Sequence, residues 1–172
     1  MRKIIIGVMG PGDQAKERET ENAFQLGRLI ASEGWTLLSG GCNTGVMDAV
    51  SKGAKGAGGL VVGIIPRCDR GIISSGVDVP IITDMGSARN NINVLSSDLI
   101  IACGMGAGTA SEIALALKAD KPAILLTDHE ESRRFFKALA PERVFLAEDP
   151  TKAIALAKEI LLPGRPRQAN DQ

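Results

Sequence analysis

Four segments of this chain combine glycine with residues that open helices, and they hold most of its chemically suggestive side chains. They are Gly10-Pro11-Gly12, the run from Ser39 to Gly45, Met85-Gly86-Ser87-Ala88-Arg89, and the run from Cys103 to Thr109. Each follows an apolar run, and the last three lead into helical patterns. Glycine lets backbone N–H groups come close to a ligand, and a helix N-terminus adds partial positive charge, so such a loop holds an anion without a lysine. In the second loop Gly40, Gly41, Asn43, Thr44 and Gly45 stand in this position, and in the fourth Gly106, Ala107, Gly108 and Thr109; Gly10 belongs to the first. Neither long loop is a P-loop, since no Gly-Lys-Ser/Thr follows. The first loop lacks the glycine spacing and the distant acidic residue of a dinucleotide site. Two such loops at successive strand ends point to a phosphate-bearing small molecule.

Arg89 opens the helix after the third loop, where a guanidinium clamps a phosphate or a sugar. Arg67, after Ile65-Pro66, is a second candidate for an anion. Glu112 follows Thr109 by one helical turn and has two readings. Thr109-x-x-Glu112 fits a capping box. Alternatively, Glu112 is a carboxylate at the rim of the anion site, kept ionised by the helix N-terminus and serving as a base or ribose ligand. Cys42 and Cys103 lie in the two long loops and read first as small buried residues. His129, the only histidine, falls in a polar stretch and reads as solvated, which argues against a Ser–His–Asp or Cys–His triad.

A doubly wound sheet would place these segments together. Apolar runs at 4–9, 35–38, 60–65, 79–82, 99–103, 123–126 and 144–147 read as strands buried on both faces. Helical patterns lie between most of them: 13–33 with Asp13 as cap, then 44–56, 87–96, 109–119, 130–140 and 150–162. The fold class expected is α/β, a single doubly wound, mainly parallel, Rossmann-like sheet with helices on both faces, over residues 1–162. The polar, proline-rich tail 163–172 is expected to be disordered. The 109–119 helix is apolar almost all round, which predicts cover by a second subunit in a homo-oligomer, a dimer or tetramer.

The 172 residues carry 20 Lys plus Arg and 20 Asp plus Glu, so the formal net charge is zero. That argues against a nucleic-acid binder or a polybasic membrane-surface protein, and five aromatic residues offer no stacking platform. No apolar stretch reaches the length of a membrane span. Three cysteines without CxxC spacing read as reduced thiols of a cytoplasmic protein. With one histidine and no ligand cluster, no protein-held metal is expected.

Gly40-Gly41-Cys42-Asn43-Thr44-Gly45-Val46-Met47 resembles the GGGxxGxM loop of the "lysine decarboxylase-like" Rossmann superfamily, which holds the Lonely Guy phosphoribohydrolases and the molybdenum cofactor carrier proteins. The stretch GMGAGTASEIALALKADKPAILL, from Gly104, falls where the phosphoribohydrolases have PGGxGTxxE. Arg89 falls where they have a catalytic arginine, and Asp98 matches the aspartate opening the intervening strand. Gly104 and Met105 replace Pro and Gly of that motif, Asn90 replaces the lysine after the arginine, and Cys42 replaces the third glycine. In these departures the string is similar to the carrier branch. The resemblance implies a carrier that binds molybdenum cofactor, a phosphate-bearing pterin holding molybdenum through a dithiolene, and protects it for delivery to molybdoenzymes. Arg89 would then neutralise ligand charge. The alternative it implies is a nucleoside 5′-monophosphate phosphoribohydrolase, with Arg89 and Glu112 catalytic. A DNA-processing relative shares the fold, but zero net charge argues against it.

Overall fold

A computed structural model of the chain describes residues 2–162. Seven strands form one wholly parallel sheet: β1 Ile5–Met9, β2 Thr36–Ser39, β3 Val61–Ile65, β4 Val79–Ile82, β5 Leu99–Cys103, β6 Ala123–Leu126 and β7 Val144–Ala147. Their order is β4-β3-β2-β1-β5-β6-β7. The chain winds outward from β1 to β4, returns to β5 beside β1, and winds outward again to β7. The topological switch point therefore lies between β1 and β5, where open α/β sheets bind ligands.

Six α-helices cover the sheet: α1 Glu17–Ser32, α2 Gly45–Gly56, α3 Asn90–Ser96, α4 Ala107–Lys118, α5 Glu130–Leu139 and α6 Pro150–Leu161. Ile6, Val8, Leu37, Val61, Leu99 and Ile101 pack with residues of α1, α2 and α6 on one face. On the other, Leu38, Ile64 and Ile100 pack with Val94 of α3 and Ala116 of α4, while Leu125 and Val144 pack with Ile113 and Phe136. The expected strands and helices agree with this architecture to within a few residues at their ends. The proposed tail 163–172 lies outside the described residues.

Two local expectations fail. Asp13 caps no helix: residues 10–15 turn across the strand ends, with Ala15 N–H donating to the Gly12 carbonyl, and α1 starts at Glu17. There the Glu19 carboxylate accepts from the Lys16 N–H. The 87–96 helix is divided, with a 3-10 turn at Gly86–Arg89 before α3, so Arg89 sits at the junction.

The β3–β4 crossover holds a 3-10 turn at Arg70–Ile72 but no α-helix. β4 consequently remains exposed along all four residues. Its register sets Val79 beside Val62 and Ile81 beside Ile64, on the α3–α4 face.

Candidate ligand cavity at the strand carboxyl ends

A cavity of about 430 Å³ opens over the carboxyl ends of β1, β2, β3 and β5. Its lining includes nine of the residues singled out from sequence: Gly10, Gly40, Asn43, Thr44, Arg67, Arg89, Gly108, Thr109 and Glu112. Gly41, Gly45, Gly106 and Ala107 belong to the same loops but do not line it. Met9, Met47, Cys42 and Asp13 do line it. Met9, the last residue of β1, is a core residue packed with Leu38, Ile64 and Ile100 whose edge reaches the cavity floor, a double placement that sequence does not mark.

The α4 end of the cavity is open. Gly106 is the N-cap and gives α4 no side-chain cap. The first helical hydrogen bond runs from Ala110 N–H to the Gly106 carbonyl, and among the described residues nothing accepts from the N–H groups of Ala107, Gly108 or Thr109. A Cβ added to Gly108 would have nothing within 4 Å. Thr109 is the third helical residue, so the capping-box reading of Thr109 and Glu112 fails.

The α2 end is built differently. Val46 N–H donates to the Pro11 carbonyl, Gly41 N–H to Ser39 Oγ, and Asn43 N–H to the Ile72 carbonyl. Asn43 Nδ2 donates to the Gly71 carbonyl at 3.0 Å, tying the strap between β3 and β4 to this loop. Gly45 has φ +51°, and a Cβ there would meet the Gly12 carbonyl oxygen at 2.1 Å. The loop's glycines serve close backbone contacts within the chain, and its amides are partly occupied.

Arg89 crosses between the two ends. A Cβ on Gly40 would lie 2.4 Å from its guanidinium, so Gly40 makes the room in which that group lies. Its contact with a described side chain is a weak one, Nη2 to Met47 Sδ at 3.8 Å, and its buried Nε has no partner. A buried cationic donor without an acceptor is costly, and an anionic ligand supplies one.

Glu112 departs from expectation. It is 6% exposed on the inner side of α4, and Asn93 Nδ2 donates to its Oε1 at 2.7 Å. Burial raises its pKa to about 7, against the opposing effects of the Asn93 hydrogen bond and the Arg89 charge. The expected permanently ionised carboxylate is thus a group that titrates near neutrality. Asn93, fully buried on α3, carries a second orphan, Oδ1. Sequence reading missed it, although its place four residues after Arg89 on a helix put both on one face.

Of the other candidates, one reaches the cavity and two lie apart. Cys42 is half-buried on the cavity wall, its thiol pushed up by desolvation. Cys103 turns away toward the Glu19 carbonyl, and burial pushes its thiol up to about 12. His129 is exposed and accepts from Ser132 N–H at the start of α5.

The profile of the SLOG cluster4 family matches residues 3–154. The chain belongs to the SLOG cluster4 family. Two solved structures are similar to this SLOG cluster4 protein over nearly their full length. The molybdenum cofactor binding protein of Rippkaea orientalis is 56% identical with a TM-score of 0.91, covering 93% of this chain and 98% of that one. The Moco carrier protein of Chlamydomonas reinhardtii is 51% identical with a TM-score of 0.88 over the same shares. A cytokinin riboside 5′-monophosphate phosphoribohydrolase of Mycobacterium tuberculosis is 37% identical over 95 residues, 54% of this chain and 51% of the relative. Among the described residues no helix is long and apolar enough to cross a membrane.

Proposed function

We propose that this protein binds molybdenum cofactor in the cavity over the β1–β5 switch point and carries it to molybdoenzymes. The observation that supports it is the unpartnered donor set on the cavity wall: the N–H groups of Gly108 and Thr109 at the start of α4, and the buried, acceptor-less Nε of Arg89. This suits a terminal phosphate. The cavity's volume is that of a small-molecule site. Gly10, Gly40 and Thr44 would lie along the pterin, Arg67 at the rim. Molybdenum arrives already held by the pterin's dithiolene, so the cargo asks the chain for phosphate and pterin contacts and for exclusion of water and oxidant. Similarity to the two cofactor-binding proteins over whole chains supports the same reading.

Anaerobic equilibrium binding of molybdenum cofactor tests it. Saturable binding is expected, weakened about tenfold or more in Arg89→Met through loss of a charged hydrogen bond. Binding equal in parent and variant would refute the placement.

A second reading, phosphoribohydrolase activity, is favoured by the pairing of Arg89 with a carboxyl that titrates near 7, as a general acid–base group requires. Adenine release from AMP that disappears in Glu112→Gln would establish it and demote the carrier.

The protein is read as cytoplasmic and as a homo-oligomer. Leu95 on α3 is 54% exposed, Ala114 on α4 is exposed, and Val79 and Ile81 lie exposed on the same side. A second copy would cover this apolar face. Leu95→Glu is expected to lower the mass measured by light scattering; an unchanged mass would remove this face from the assembly.

A further inference from the structure

We infer that Asn93 and Glu112 couple anion binding at Arg89 to the uptake of one proton, so that affinity for the cargo falls as pH rises above neutrality. This rests on the reading of the cavity as an anionic-ligand site. It adds a positioning residue, Asn93, and a proton linkage to that site.

The geometry is a short relay running inward from the cavity. Arg89 lines the wall with its Nε buried and unpaired. Glu112 lines the same wall from α4. Behind it Asn93 donates Nδ2 to Glu112 Oε1 at 2.7 Å, while its Oδ1 is buried with no partner. Met9 Sδ, 3.8 Å from the same Nδ2, supplies no charge. Arg89 is the charged group acting on Glu112; Asp13 and Arg67, the other charged side chains lining the cavity, do not figure among the influences on it.

In the unliganded protein the Arg89 charge and the Asn93 N–H both favour the ionised carboxyl, and burial opposes them. An anion bound to Arg89 removes one of the two supports and adds a like charge nearby, so Glu112 takes a proton from solvent. An amide is suited to this change. With Nδ2 forward it donates to the carboxylate; turned by half, it offers Oδ1 to the O–H of the acid. Glu112 therefore keeps a hydrogen bond in both states, and the Oδ1 that is now orphaned acquires its donor in the protonated one. A leucine or methionine at position 93 would lack this adaptability.

By linkage, affinity falls about tenfold for each pH unit between the free and the bound midpoints of Glu112. The test uses protein labelled with ¹³C at glutamate side-chain carboxyls and sulfate as probe, because sulfate keeps its charge across the range. Glu112→Gln assigns the resonance. The midpoint is expected near 7 in the free protein and at least one unit higher when sulfate saturates the Gly108 amide shift. Asn93→Leu is expected to raise the free midpoint; should it fail to fold, Asn93→Ser is to show the same rise. A merely structural asparagine would lower the melting temperature and leave the midpoint in place. Sulfate that moves the Gly108 amide without moving the Glu112 midpoint would overturn the inference and spare the anion site. Sulfate that moves neither would overturn the anion site, and the inference with it.

Discussion

The loops before α2 and α4 look alike as sequence: strand, glycines, short polar residues, helix. In the folded chain their glycines answer to different demands. At the α2 loop the demand is internal. Gly45 holds a left-handed φ against the Gly12 carbonyl, Gly40 clears the path of Arg89, and Val46, Gly41 and Asn43 donate to other parts of the protein. At the α4 loop Gly104, with a left-handed φ against Glu19 and Pro11, is also structural, but nothing in the chain asks for Gly108, and three successive N–H groups have no acceptor. A glycine required by neighbouring backbone marks construction, whereas a glycine facing open space beside unsatisfied donors marks a place for a ligand.

Substitutions at the two loops should therefore fail in opposite ways. The largest effect is expected for Gly108→Asp. Its side chain meets no neighbour, and a carboxylate in the first turn suits the helix, so the melting temperature should stay within a few degrees of the parent's. Ligand affinity should fall by about 3 kcal/mol or more, because the new charge stands where the ligand's own is held. Gly45→Val is the mirror case: about 3 kcal/mol of stability lost in urea unfolding, from the clash with the Gly12 carbonyl and a left-handed φ at a branched residue. If Gly108→Asp unfolded the protein while Gly45→Val abolished binding with the fold intact, the assignment of the two loops would be reversed.

Glu112 sharpens the contrast within α4. Its folded pKa of about 7 lies above the unfolded value of 4.5, so the folded state holds the proton longer. Its contribution to stability is fully present below about pH 4.5 and is lost as pH rises through 7. The difference across that window is about 3 kcal/mol. Glu112→Gln keeps the shape and removes the titration. The variant should match its parent near pH 4 and exceed it by up to about 3 kcal/mol at pH 8, read from urea midpoints. Parallel stability curves at the two pH values would mean that Glu112 is ionised in the folded protein.

Most of the architecture was legible because it depends on pattern. Apolar runs ending at glycine or another turn signal marked seven strands, and the helices between most of them required parallel crossovers. The four glycine segments led to the cavity because strand carboxyl ends meet at a switch point whatever the details of the loops. Charge state was not legible. Thr109-x-x-Glu112 reads equally as a cap or a rim carboxylate, and only the placement of the cap at Gly106 turns Glu112 inward, where desolvation sets its pKa. Asn93 was only half legible for the same reason: its spacing of four from Arg89 puts both on one helix face, but nothing in an asparagine of a short helix tells a buried partner from a solvated one.

The smallest effect concerns Asn43, grouped by sequence with the ligand contacts. It lines the cavity, yet its Nδ2 is committed to the Gly71 carbonyl and its N–H to the Ile72 carbonyl. The side chain thus acts on the ligand through the strap 66–74, which brings Pro66, Arg67 and Ile72 to the cavity. Asn43→Ala removes one exposed hydrogen bond, worth about 1 kcal/mol of stability, and leaves the backbone tie in place. Ligand affinity should fall by less than tenfold, with faster amide hydrogen exchange confined to the strap. Asn43→Asp separates support from contact: it cannot donate to Gly71, so it should loosen the strap as alanine does. A direct ligand contact would instead make the aspartate much the worse of the two, since its charge would oppose that of the anion.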